Sequence, residues 1–194
     1  MIVLPDKSAV VLDIETTEVA LADARGGFPQ PIEVAGCQID CEYQVVGEFS
    51  TLVRPDPAEE FTEYCQLFTG ISPDELAAAP SWREVWRDFA EFTQFNGRRL
   101  ISYGAYFDYP VLRTAYRRVS VGWPHAFPMV DALSMVYRVA GEYGFRIPRW
   151  SLKSCCERFG IEPEKKHRAL GGARRAVAVM RAISTLNQEE MELL

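Results

Sequence analysis

Near the start of the chain the hydrophobic positions run together over a span too short for a helix to be preferred. Residues 8–14 read Ser-Ala-Val-Val-Leu-Asp-Ile, a β-branched run the length of a buried strand, with Asp13 and Glu15 at its polar exit. After a Gly-Gly-Phe-Pro loop, residues 32–40 and 43–54 both carry strand-like content with only a short turn region between them. This predicts antiparallel neighbours extending the first strand. Arg54-Pro55-Asp56-Pro57 breaks the pattern, and two helical stretches are expected next, over about 61–70 and 81–95. Ser81 is the candidate N-cap of the second, with Glu84 at the capping-box position. Residues 100–103 read as another short buried strand after a turn at Asn96-Gly97. A helix is predicted from about Tyr109 or Pro110 to Val119, because proline is tolerated in a first turn and not further in. Residues 129–140, 151–159 and about 170–186 complete the helical set, the second opened by Ser151 and stopped by Gly160. Strands first, helices interleaved later, and no repeat or low-complexity tract predict one mixed α/β domain over residues 1–194.

Composition narrows the class. Of 194 residues, 48% are hydrophobic and 25% charged, which excludes disordered and fibrous chains. No window reaches the 18 or so uninterrupted apolar residues of a membrane span, and Pro5 and Asp6 interrupt what a signal peptide would keep apolar. The expectation is a cytoplasmic protein with no membrane partner. Five cysteines without a CxxC pair, beside two histidines, argue against both a disulfide framework and a structural zinc. Cys155 and Cys156 fall in the apolar pattern of a helix, where one of them is expected in the core.

The net charge of -6 excludes a protein that coats nucleic acid through bulk positive charge. Its distribution changes the picture. Residues 141–181 hold ten Lys or Arg against four acids, so a basic C-terminal third sits on an acidic body. Such a region suits local contact with a phosphate backbone, and equally suits solvated helix faces.

Three places carry candidate chemistry. Asp13 and Glu15, two apart on a strand, leave on one face and could hold a hard cation, although many strands end in two acids that face water. Asp108, in Tyr-Gly-Ala-Tyr-Phe-Asp, lies just before the expected helix, where an ordinary N-cap is the simpler reading. His167, in Lys-Lys-His-Arg-Ala-Leu-Gly-Gly-Ala, reads equally well as a surface residue among cations.

Taken in order, Asp-Ile-Glu-Thr-Thr at 13–17, Gly-Ala-Tyr-Phe-Asp at 104–108 and His-Arg-Ala-Leu-Gly-Gly-Ala at 167–173 resemble the three exonuclease motifs of the DEDDh superfamily, which includes RNase T and the proofreading subunit of DNA polymerase III. Within it the likeness is strongest to the histone-mRNA and RNA-interference-related 3′-5′ exonucleases. There Pro-Ile-Glu-Val-Ala-Gly at 31–36 and the stretch at 54–82 containing Thr-Gly-Ile also find counterparts, so that the likeness runs from about residue 8 to 185.

The resemblance implies an RNase H-like α/β fold, a five-stranded mixed sheet flanked by helices. It also implies two-metal hydrolysis that releases nucleoside monophosphates from the 3′ end of single-stranded RNA or DNA. By that likeness Asp13 would bridge two Mg2+ or Mn2+ ions, Glu15 would help hold the first, Asp108 would support the second, and His167 would be the general base. Thr16 and Thr17 would lie beside the terminal nucleotide, with Leu67, Thr69, Gly70 and Ile71 lining its base pocket. Arg146, Arg149, Lys153, Lys165, Lys166 and Arg168 would guide phosphates. The family includes dimers as well as monomers, which leaves a homodimer open. One departure weighs against full activity: the third motif reads His, four residues, then Asp, and that position is Gly172. Glycine brings no ligand, so the implied outcomes are weakened hydrolysis or, alternatively, an inactive relative that binds 3′ ends or a protein.

Overall fold

The computed structural model describes residues 9–18, 27–56, 61–94, 99–124, 129–144, 146, 149–162 and 167–186. Five strands, β1 (Ala9–Thr16), β2 (Pro31–Ile39), β3 (Val45–Leu52), β4 (Arg99–Ser102) and β5 (Val130–Asp131), form one mixed sheet in the order β3-β2-β1-β4-β5. β1, β2 and β3 pair antiparallel, whereas β4 joins β1, and β5 joins β4, in parallel. Seven helices accompany them among the described residues: α1 (Glu63–Thr69), α2 (Pro73–Ala78), α3 (Trp82–Gln94), α4 (Ala105–Arg118), α5 (Ala132–Tyr143), α6 (Leu152–Arg158) and α7 (Ala169–Thr185).

The apolar run of β1 is continuous because both of its faces are covered. Ala9 and Val11 pack with Cys37 and Ile39 against residues of α5, α6 and α7. Val10, Leu12 and Ile14 pack with Val34 against Val85 and Phe89 of α3 and Val111, Leu112 and Tyr116 of α4. Val10, Val11 and Leu12 are fully buried, and each contributes roughly 1.5–3 kcal/mol relative to an exposed position. The strand that carries the acids is therefore held firmly.

The structure departs from the sequence reading in several places. A two-residue strand, β5, precedes α5; it is too short to register as a period. α2 is a helix not anticipated, although its signature was present: Ser72 caps it in a full capping box with Glu75, and Pro73 stands in the first turn. α4 begins at Ala105, four residues ahead of expectation, from Gly104 in a left-handed conformation (φ 95°). Pro110 is thus its sixth residue. Proline there forfeits the amide bond to the carbonyl of Tyr106, a residue in the exposed first turn. Asp108 consequently lies inside the helix and is not its cap. Both Cys155 and Cys156 are buried, where only one was expected. The Asn96-Gly97 turn, Lys165 and Lys166 lie outside the described residues. No described helix is long and apolar enough to cross a membrane.

Candidate functional site

The site forms at the carboxyl ends of the parallel strands, the place where α/β sheets open a crevice. The β1–β4 pairing stops at Leu12 and Ser102, and β1 continues past it through Asp13 and Glu15. The alternation that sends Val11 toward α7 sends both acids to that same face. At the end of β4, Gly104 turns the chain into α4 so that Asp108 drops beneath the cleft. There it is buried and accepts a hydrogen bond from the Ser102 hydroxyl. Asp131, at the end of β5, accepts the Gly104 amide (2.9 Å) and fixes that turn.

α7 forms the opposite wall, and its position depends on an acid the motifs did not single out. Glu33, across from Glu15 in the β1–β2 register, is 2% exposed and receives Arg168 through three hydrogen bonds of 2.8–3.1 Å. Its Oε2, which also receives Arg168 Nε, accepts the amide of Ala169 (2.9 Å), the first residue of α7. A carboxylate here satisfies an orphan amide and complements the helix dipole. The signal for it in the sequence was one acid inside an otherwise apolar strand. Arg168, placed in the phosphate-guiding group by sequence, is turned inward to this pair.

The clamp brings Gly172 directly over Asp13. A Cβ at Gly172 would lie 2.6 Å from Asp13 Cγ and 3.2 Å from its Cβ, with a carboxylate oxygen nearer still. The Asp13 carboxylate thus occupies room that a side chain at 172 would claim. Glycine therefore matters twice: it supplies no carboxylate, and it leaves the space that the Asp13 carboxylate fills at the cleft wall.

Asp13, Glu15, Lys153, His167 and Arg175 line one cleft of about 360 Å³. Burial pushes the Asp13 carboxyl up to about 7, opposed by the Arg175 charge and the Ile14 amide and aided by Glu33. Glu15 is pushed up to about 8 by burial, then by Asp13 and Glu33. Asp108 is raised well above the usual range by burial and by Asp13. His167 is held below its ordinary value by burial and by the charges of Arg175 and Lys153. The sequence-predicted Asp13, Glu15 and His167 thus share the cleft, and Asp108 acts on it from below. Among the described residues no three His, Cys, Asp or Glu side chains are arranged to hold a metal ion.

A neighbouring pocket of about 280 Å³ continues from Glu15 and is lined by Thr16, Thr17, Tyr64, Phe68 and Thr69 among others. Leu67, Gly70 and Ile71 do not line it. Leu67 is 80% exposed, Ile71 packs in the core with Ile32 and Leu76, and Gly70 closes α1 at φ 69°. Thr69 staples that turn, donating to the Cys65 carbonyl (2.8 Å) and accepting the Ile71 amide. Thr17 is tied to β2, its hydroxyl accepting the Gln30 amide (2.9 Å). Phe68 stacks on His167 with ring centroids 4.0 Å apart, and Tyr64 stacks on Phe68 in turn. The sequence reading did not foresee this column. A separate cavity of about 490 Å³, around Arg54 and Trp82, contains none of the sequence-predicted site residues.

A model of the RNase T exonuclease family matches residues 10–180. The PolC-type DNA polymerase III of Thermotoga maritima is 31% identical over 97% of the chain, which spans 13% of that relative. The corresponding polymerase of Staphylococcus aureus is 25% identical over 98% of the chain, again 13% of its own length. Among solved structures, exonuclease I superposes with a TM-score of 0.77 at 20% identity, covering 96% of the chain and 43% of its counterpart. A 3′-exonuclease solved in the recognition of a histone mRNA stem-loop superposes at 0.71 and 15% identity, covering 92% and 64%. The five-stranded mixed sheet flanked by helices is thereby the RNase H-like fold of these exonucleases.

Proposed function

The chain belongs to the RNase T family of DEDDh-type exonucleases, and from that premise we propose that its carboxylate cleft takes the 3′ end of single-stranded nucleic acid and hydrolyses it slowly, in the 3′-5′ direction. The observation that carries this reading is the convergence of Asp13, Glu15 and His167, from distant parts of the chain, on one cleft with Asp108 beneath.

Divalent ions serve catalysis across the family, supplying Lewis acidity and an activated water. The oxygen donors of Asp13, Glu15 and Asp108 match Mg2+ or Mn2+ in kind. Their arrangement does not match a two-ion site, because α7 presents Gly172 where the third motif has its acid and the Asp13 carboxylate packs against that glycine. The chain's own groups retain part of the task. His167, kept neutral at pH 7 by burial and two cations, is able to accept a proton from an attacking water at an imidazole nitrogen. The Phe68 ring fixes the plane of that imidazole. Thr16 and Thr69 line a pocket the size of a base beside it. A lost electrostatic contact of this kind costs about 3 kcal/mol, roughly two orders of magnitude in rate.

With Mn2+, a 5′-labelled single-stranded oligonucleotide is expected to shorten slowly from its 3′ end, and Gly172→Asp to raise the rate at least tenfold. Activity already high in the unaltered chain and unchanged by the aspartate would overturn this account of the site. A second reading, a protein that binds 3′ ends without cleaving them, is favoured by Gly172 together with Arg175 in the cleft. Complete inactivity of both proteins alongside measurable binding would establish it.

A further inference from the structure

The head of α7 carries three arginines, and they differ in what they hold. Arg168 is bidentate on Glu33, and Arg174 is bidentate on Glu48 at 2.6 and 2.7 Å. Arg175 has no such partner. Its Nε donates to the Gly171 carbonyl at 3.3 Å, a long bond within its own helix, and no described carboxylate lies within salt-bridge distance of its guanidinium. It is half-buried and opens onto the cleft with Asp13, Glu15 and His167. Arg175 also lies three residues beyond Gly172, one turn along the same helix face. The position that lacks an acid and the position that offers a cation therefore look into the same space.

We propose that Arg175 is a fixed cation standing in for a metal ion at this cleft, holding a backbone phosphate of the 3′-terminal nucleotides directly, so that the chain binds single-stranded ends without any divalent ion. The chemistry suits the group. A guanidinium is planar, permanently charged, and presents a fork of donors that matches two phosphate oxygens at once. Arg175 supplies, from the α7 wall, the positive charge that draws an anionic phosphate into the cleft beside Asp13 and Glu15. Lys153, from α6, faces the same space. Its ion pair with Glu157 is long, 3.9 Å, and exposed, which leaves its ammonium available as a second contact.

This inference rests on the reading that the cleft receives nucleic acid. The experiment separates the two. Binding of a fluorescein-labelled single-stranded oligonucleotide to the full chain is followed by anisotropy, once in EDTA and once in Mn2+. The unaltered protein is expected to bind in both. In EDTA, Arg175→Gln loses at least tenfold in affinity, Arg175→Lys recovers part of that loss because the charge is kept without the fork, and Arg174→Gln changes less than twofold because its charge is engaged by Glu48. In the absence of oligonucleotide, Arg175→Gln binds Mn2+ at least threefold more tightly, read from the electron paramagnetic resonance of the unbound ion, since a repelling charge has left the site. Binding by the unaltered chain only when Mn2+ is present, or an Arg175→Gln affinity in EDTA equal to the parent's, overturns the proposal and leaves the cleft reading standing. Equal losses in Arg174→Gln and Arg175→Gln also overturn it, since general charge would then explain the effect. Failure to bind under both conditions overturns the cleft reading, and this inference with it.

Discussion

Asp13 and Glu15 hold their protons to about pH 7 and 8, where an unfolded chain releases them near pH 4. Between those limits the folded molecule binds more protons than the unfolded one, so the acids favour folding at low pH, and stability declines as pH rises through 7 and 8. The decline approaches about 1.4 kcal/mol per pH unit for each group while it titrates. Thermal unfolding of the metal-free protein should therefore occur at a lower temperature at pH 8.5 than at pH 5.5, and Asp13→Asn should flatten the difference. A midpoint that rises with pH would contradict the burial of these carboxylates. At this scale the sequence was legible where motifs exist: Asp13, Glu15, Asp108 and His167 each stood out as candidate chemistry, and the resemblance grouped them. Arg175 and Phe68 were invisible, because an arginine and a phenylalanine on helices look alike whether they face a site or water.

The element that decides the geometry is α7, and Glu33 decides α7. Replacing Glu33 with glutamine removes the charge and leaves one acceptor oxygen where two served the Arg168 guanidinium and the Ala169 amide. Glu33→Gln should cost roughly 2–3 kcal/mol, somewhat below the 3–5 kcal/mol of a wholly buried pair because the Arg168 side chain is 40% exposed. Chemical denaturation measures this directly, and a cost under about 0.5 kcal/mol would reduce the clamp to a surface contact. Local signals read the elements unevenly. The caps at Ser81 and Ser151 are where side-chain chemistry places them, with Ser81 donating to Glu84 and Ser151 accepting the Ser154 amide. The start of α4 was misread because the general penalty on internal proline was given more weight than the left-handed glycine six residues earlier. The Glu33–Arg168 pair, 135 residues apart, leaves no local trace at all.

Across the whole molecule, a five-stranded mixed sheet was expected from four strand-like pieces of chain and a family likeness, and the structure has such a sheet, in the order β3-β2-β1-β4-β5. The charge reading needed more revision. Of the four described cations among those proposed to steer phosphates, Arg168 is engaged by Glu33, and Lys153 lines the cleft, joined there by Arg175. Two phosphate contacts imply a shallow salt response. The logarithm of the binding constant for a single strand should fall with a slope near about -1.4 against the logarithm of salt concentration, where six contacts would give about -4. Anisotropy titrations over a range of salt concentrations distinguish these values, and the steeper one would return the remaining basic residues to the binding path. Charge counted along a sequence overstates the footprint wherever arginines are claimed by internal acids, as Arg168 and Arg174 are here.

Phe68 borders two chambers at once: its ring lines the pocket beside Thr16 and lies flat against the imidazole of the adjoining cleft. A guest settling in the first chamber presses on the same aromatic plate that sets the tilt of the ring in the second. If that guest is the end of a strand, its recognition and the readiness of the imidazole to react would be joined through one side chain.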